Sequence, residues 1–185
     1  VQLNTLPADR TVDGRLIARG VTIAARGITL DVMGQRLTGD FAFSKDTATG
    51  VVTLGLKNVS LALGDGSTTY VTATITTGAL KITRGGVAGA VVAELSVNPD
   101  IFPADKFAFS LNAIVQVNNT TQDETITVPS LGISVTVAAN SLLVQLGRTG
   151  NPASITIYGQ QLQGVASFEQ RTTAAGTKIV RIAFW

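Results

Sequence analysis

Hydrophobic and polar residues alternate along most of this chain, with the period of two that is typical of a β-strand with one buried face. Between Lys106 and Asn118 the odd-numbered positions are apolar and the even-numbered positions are mostly polar. The segment from Tyr70 to Thr76 alternates in the same way, with threonine at every second position. A row of threonines suits a solvated strand face. The pattern predicts long strands that each turn one face towards a core.

The phase of this alternation changes at three places, after Gly34, after Asn58 and after Gly78. In a regular strand a change of phase moves the apolar side chains to the opposite face. Such a change therefore marks a β-bulge, a tight turn or a crossing from one sheet to another. We expect long strands that bend around a core, and the alternative is twice as many short strands.

Short segments rich in Gly, Asn, Asp and Pro separate the alternating runs. These connections are too short to hold crossover helices, so neighbouring strands should be antiparallel. No segment shows a convincing helical period with caps. The sequence therefore predicts an all-β fold of mainly antiparallel, long, bent strands.

Two segments of the chain, Ile28–Gly39 and Ala153–Gly164, have similar sequences at a separation of 125 residues. The apolar phase, the change of phase at the first glycine and the turn that follows recur together. At the change of phase a glycine suits a bulge residue with positive φ. The two phenylalanines lie on the apolar phase, and we expect both to be buried. The matched structural positions are Gly34 with Gly159, Gly39 with Gly164, and Phe43 with Phe168.

This repeat divides the chain into three parts. Residues 1–27 form the end of a preceding unit or a set of initial strands, residues 28–152 form one full unit, and residues 153–185 begin the next unit. We expect a tandem-repeat array, built either as an elongated sandwich or in a solenoid-like manner. Because an array cut within a unit exposes a strand edge, we also expect this edge to pair with neighbouring repeats or other copies.

The repeated pattern G-Q-x-L-x-G, followed by Phe, a Thr/Ala/Gly turn and N-V-S-L-x-L-G-D-G, resembles repeats of giant, mostly uncharacterised bacterial surface proteins of adhesin type. It is carried by Gly34–Phe43, Thr47–Gly50 and Asn58–Gly66, and again by Gly159–Phe168 and Thr173–Gly176. The resemblance implies an extracellular or cell-surface location. It also implies a structural or adhesive role in a self-assembling stalk, fibre or coat, with cell-surface glycans as further candidate partners.

The composition removes several classes of function. The chain has no His and no Cys, so it can build neither a Ser-His or Cys-His nucleophile nor a zinc site of the usual ligands. We do not expect an enzyme. The net charge is only +2, and the basic residues are scattered without stacking aromatics, so we expect no nucleic-acid partner. No apolar run reaches the length of a membrane span.

The acidic loops are the remaining candidates for chemistry. Asp65 lies in a Gly-Asp-Gly-Ser turn, and Asp100 and Asp105 share another loop. Carboxylate and turn carbonyl oxygens suit Ca²⁺, which makes these three residues weak calcium candidates, while a hairpin turn and solvated loop charge are the simpler interpretations. We expect no other cofactor.

Two other functions fit the same strand pattern. A carbohydrate-binding β-sandwich would present aromatic residues on a solvent-facing concave sheet. A lipid-binding β-groove would leave one continuous apolar face open.

Overall fold

A computed structural model describes residues 2–4, 8–13, 15–17, 19–32, 35–65, 67–173 and 175–185. The predicted structural position Gly34 lies outside the described residues. Nearly all of the described residues lie in strands or in short connections between strands, so the all-β prediction is confirmed. Within the described chain, no helix is long and apolar enough to span a membrane.

The described residues form 16 strands and one short 3-10 turn at Pro129–Leu131. The strands of the first half are β1 (Gln2–Asn4), β2 (Arg10–Val12), β3 (Arg15–Ile17), β4 (Gly20–Val32), β5 (Gln35–Lys45), β6 (Val52–Gly64), β7 (Thr69–Thr83) and β8 (Gly86–Val97). The strands of the second half are β9 (Phe107–Asn118), β10 (Glu124–Val128), β11 (Ile133–Val137), β12 (Ser141–Leu146), β13 (Ala153–Ile157), β14 (Gln160–Gly164), β15 (Ala166–Thr172) and β16 (Lys178–Phe184).

Twelve strands form one sheet in the order β1-β4-β5-β6-β7-β8-β9-β12-β15-β16, with β13 paired to β9 and β14 paired to β13. Every pair is antiparallel. Strands that follow one another in the sequence mostly lie side by side, because their connections are short. Two separate hairpins, β2–β3 and β10–β11, lie outside this sheet.

Two of the three predicted changes of phase, at Asn58 in β6 and just before Gly78 in β7, are bulges inside long strands, whereas the change at Gly34 falls between β4 and β5, outside the described residues. The register of β4 with β5 shifts between Ala25 and Ile28, and that of β7 with β8 shifts between Ile75 and Thr77. In β6 the change occurs at Asn58, whose φ is 51°. Each bulge adds residues to one strand, so the apolar side chains stay on one face although their phase changes. Long bent strands, rather than twice as many short ones, therefore explain the pattern.

One face of the sheet, here called the covered face, packs against the β10–β11 hairpin. Small residues line the sheet side and larger residues line the hairpin side of this core. Its buried members are Ala42, Ala79, Ala88, Ala90, Ile126, Val128, Leu131, Ile133 and Val137. Small residues are required because the hairpin lies close: a Cβ on Gly55 would lie 2.7 Å from Cγ1 of Val128.

Two lysines tie the hairpin to the covered face at its margins. The Lys81 ammonium lies 2.6 Å from the Glu124 carboxylate, with both side chains largely shielded from solvent. Lys57 donates a hydrogen bond of 3.0 Å from Nζ to the carbonyl oxygen of Leu131. The hairpin is therefore fixed by apolar packing in its middle and by charged groups on both sides.

The opposite face of the sheet, here called the open face, carries the larger apolar side chains and has no layer over it in the described structure. Phe43 and Phe168 belong to this face. We predict both to be buried from the sequence, but both are half-buried, because no second layer packs against them. The accessible surface of the chain is 11288 Å², against about 8,400 Å² expected for a compact monomer of this mass.

Candidate functional site

The two similar segments form hairpins of the same register. Ile28 pairs with Gly39 in the first hairpin, and Ala153 pairs with Gly164 in the second. A two-residue turn closes the second hairpin, with φ of 47° at Tyr158 and 76° at Gly159. Positive φ at both positions defines a type I′ turn, which favours glycine at the second position. The role of Gly159 is therefore that of a tight hairpin turn and not of a bulge.

The strands beyond these hairpins also correspond. In the first copy, Phe43 pairs with Ile23 on one side and Leu54 on the other. In the second copy, Phe168 pairs with Val144 and Ile182 in the same arrangement. The strands β4, β5 and β6 thus have counterparts in β12–β13, β14–β15 and β16. Both sets lie in one sheet, and the second set follows the first.

One buried asparagine marks the beginning of each copy, Asn4 in the first and Asn118 in the second. The similarity of sequence between the hairpins does not extend to these two residues. Asn118 donates two hydrogen bonds of 2.9 Å from Nδ2, to the carbonyl oxygens of Gln122 and Val137. Asn4 donates to Ala8 at 2.9 Å and to Ile17 at 3.1 Å. We call each of these an asparagine clip. In both copies the clip joins the end of a sheet strand to the last residue of the following small hairpin, β2–β3 or β10–β11.

An aspartate lies five residues after each clip asparagine and closes the same junction. The Asp9 carboxylate accepts a 2.9 Å hydrogen bond from the Arg19 amide, and Asp123 accepts one of 2.8 Å from the Ala139 amide. The spacing Asn-x4-Asp is the sequence signal for this element. It shows that the correspondence between the copies reaches back to Asn4.

The second copy ends at an uncovered edge. All seven residues of β16 are exposed, and Leu162 on the neighbouring β14 is 74% exposed. Its counterpart Leu37 is half-buried, because β6 pairs beside it through Leu61. Among the described residues, no strand pairs with the outer side of β14 or β16, whereas further strands continue the sheet beyond the corresponding strands of the first copy. We call this edge, formed by β14 and β16, the terminal edge.

The calcium candidate Asp65 occupies a turn in which both of its carboxylate oxygens already accept hydrogen bonds. The Asp65 carboxylate accepts hydrogen bonds from the Tyr70 hydroxyl at 2.7 Å, the Ser67 amide at 2.9 Å and the Thr68 amide at 2.8 Å. These donors, the Tyr70 hydroxyl above all, hold the pKa of Asp65 well below its usual range. The same hydrogen bond raises the pKa of Tyr70. Asp65 therefore shapes a turn.

Asp100 and Asp105 both lie in the exposed connection between β8 and β9. The amide of Asp100 donates to Oδ1 of Asn98 at 3.0 Å, which makes this segment an Asx turn. Among the described residues, no three acidic side chains come together in a group that could hold a metal ion. A calcium site at these residues stays a prediction.

Comparison with known proteins gives no relative from which a function could be transferred. No family model matches the chain, and neither the curated proteins nor the solved structures contain a significant match. The arguments for function therefore come from the repeated elements, the terminal edge and the open face.

Proposed function

We propose that this protein is a structural or adhesive repeat module of a large extracellular bacterial protein, in which successive units continue one antiparallel sheet as a stalk, fibre or coat. One observation carries the proposal: two copies of the same set of strands, each beginning at an asparagine clip, occupy successive positions in a single sheet. A sheet that passes from one copy into the next without a break is the geometry that an array requires.

The terminal edge indicates how a further unit would attach. In the first copy β6 is followed by β7, with Leu54 paired to Leu80 and Val52 paired to Ile82. On β16 the corresponding positions are Ile182 and Val180. A strand like β7 would pair there, and a strand like the second half of β6 would pair with β14. Their backbone groups would satisfy the unpaired donors and acceptors of the edge.

The test is a longer chain in which residues 58–152 are repeated after Trp185, the counterpart of Lys57. We expect hydrogen exchange at the β14 and β16 amides to slow markedly, and small-angle scattering to show a longer particle. The matched control carries Leu80→Asp and Ile82→Asp in the added segment only. Exchange at β14 and β16 that is equally fast in the original, extended and control chains would contradict the proposal.

A further inference from the structure

The open face is apolar across nine strands. The register of successive pairs aligns two rows of side chains that run across the sheet. One row is Ile23, Phe43, Leu54, Leu80, Gly89, Val117, Leu142, Gln170 and Val180. The next row is Ala25, Phe41, Leu56, Gly78, Val91, Val115, Val144, Phe168 and Ile182. At a strand spacing of about 4.8 Å these rows are about 38 Å long.

The open face is concave where the rows cross β4 to β9. The bulges in β4, β6 and β7 lie at a similar level and bend the strands there. A cavity of about 420 Å³ lies against the face, lined by residues from Ile23 on β4 to Val117 on β9. This volume is within the range of small-molecule sites, about 300–1,000 Å³.

Charge on the open face is confined to one rim. Among the described side chains that the register places on this face, Lys45 and Lys178 are the only charged ones. Lys45 ends β5 and Lys178 begins β16, and both positions lie on the same side of the rows, near their opposite ends. Both lysines are exposed. The face therefore combines a neutral apolar floor with a basic rim, which complements a ligand with a long apolar body and an anionic head.

We propose that the open face binds a long-chain fatty acid, with its unbranched alkyl chain along the apolar rows and its carboxylate at Lys45. The floor offers apolar contact but almost no hydrogen-bonding groups, which suits an alkyl chain and not a sugar. The inference does not depend on the array, because the cavity is lined by residues of β4 to β9 alone.

The test is a fluorescence titration of the intact chain with cis-parinaric acid, a fluorescent long-chain fatty acid. Val115 and Val117 are each 39% exposed on the floor, so the double variant Val115→Glu, Val117→Glu should fold and should bind at least ~10-fold more weakly, because it places two charges beside the alkyl chain. The control is Gln116→Glu, which puts one carboxylate on the opposite face of β9. Circular dichroism on all variants confirms the fold.

A further variant tests the rim. Lys45→Gln should weaken binding of the fatty acid about two- to fivefold, the range for an exposed charge pair. It should leave binding of the corresponding long-chain alcohol unchanged, since the alcohol has no charge to pair. An equal loss for both ligands would overturn the assignment of the carboxylate to Lys45.

Three results would overturn the proposal. The first is the absence of saturable binding by the unsubstituted chain. The second is unchanged binding by the double valine variant. If Leu162→Glu abolishes binding instead, the ligand lies in the separate cavity of about 770 Å³ lined by Phe109, Leu162 and Trp185. The third is a dimer by light scattering that Val115→Glu, Val117→Glu dissociates while the fatty acid has no effect, because a second copy would then cover the face.

Discussion

The hairpins Ile28–Gly39 and Ala153–Gly164 have the same register and the same apolar positions, yet their surroundings differ. In the first hairpin Leu37 lies between two paired strands and is half-buried. In the second hairpin the equivalent Leu162 has a paired strand on one side only and is 74% exposed. Burial at this position is therefore set by the neighbouring strand and not by the hairpin. The same sequence pattern is half-buried where strands pair on both sides and exposed where a strand pairs on one side only.

The small hairpins β2–β3 and β10–β11 extend this comparison and give the largest expected effect. Ile126 on β10 is 1% exposed, whereas its counterpart Val12 on β2 is 40% exposed. Ile126→Ala should cost about 2–5 kcal/mol, because it leaves a cavity between the hairpin and the covered face. Val12→Ala should cost about 0.5 kcal/mol or less. Urea unfolding measures both. Similar losses would show that β2–β3 packs as firmly as β10–β11.

The two asparagine clips should differ less. Asn118 is 1% exposed and Asn4 is 6% exposed. Asn118→Ala should destabilise the protein by about 2–3 kcal/mol, because two carbonyl oxygens lose their donor in a buried place. Asn4→Ala should cost about 1–2 kcal/mol, since the hairpin that it holds is exposed.

The nearly isosteric variant Asn118→Asp serves as the control for shape. It keeps the size of the side chain but cannot donate, so it should lower stability in urea at least as much as Asn118→Ala. If Asn118→Asp is as stable as the unsubstituted chain, the clip does not act through its hydrogen bonds.

The turns that follow the two hairpins should differ in their response to acid, which is the smallest effect. Asp46 accepts hydrogen bonds from the amides of Thr49 and Ala48 and pairs with Arg19 at 2.9 Å. The amide of Thr49 is the main cause that lowers the pKa of Asp46. The second turn uses an uncharged group instead, with Oγ1 of Thr173 accepting from the Thr177 amide at 3.1 Å.

Because the pKa of Asp46 is lower in the folded chain, its contribution to stability is present above the unfolded value of 3.8 and is lost as pH falls through the folded value. The Gly50 amide donates to the Asp46 carbonyl within this turn. Hydrogen exchange at Gly50, corrected for the intrinsic rate, should therefore accelerate as the Asp46 carboxylate becomes protonated, while exchange at Gly176 should not. The variant Asp46→Asn should abolish the difference. Parallel behaviour of the two glycines in the unsubstituted chain would show that the carboxylate does not hold the turn.

The strand pattern could be predicted from the sequence because alternation reflects the side of the sheet directly. The repeat was visible only in part. Corresponding residues are separated by 114 positions at Asn4 and Asn118, by 121 at Ile23 and Val144, by 125 from Ile28 to Phe43, and by 128 at Leu54 and Ile182. The differences accumulate in a longer β10–β11 hairpin and in the loop at residues 147–152. A comparison at one fixed separation therefore finds the large hairpin and misses the clip.

The faces of the sheet show a different limit of sequence reasoning. Alternation identifies the apolar face that carries Phe43 and Phe168, and an apolar face of a sheet is usually buried in the core. The sequence therefore predicts burial of this face. The hairpin instead packs on the opposite face, where the sheet offers small residues such as Ala79 and Ala90. Small size allows close approach but gives a weak hydrophobic signal, so nothing in the pattern indicates which face is covered.

The apolar rows also determine the direction in which an array would grow. The row that begins at Ala25 on β4 reaches Val144 on β12 after six strand spacings. Val144 is the counterpart of Ile23, not of Ala25. The row is therefore shifted by two residues along the strand when it enters the second copy. Two residues correspond to about 7 Å along a strand, and six strands span about 29 Å. Repeated from unit to unit, this shear would slant the growth axis about 13° from the perpendicular to the strands. Each unit would then be displaced by two residues along the strand direction relative to the preceding unit, and its basic rim would be displaced by the same distance.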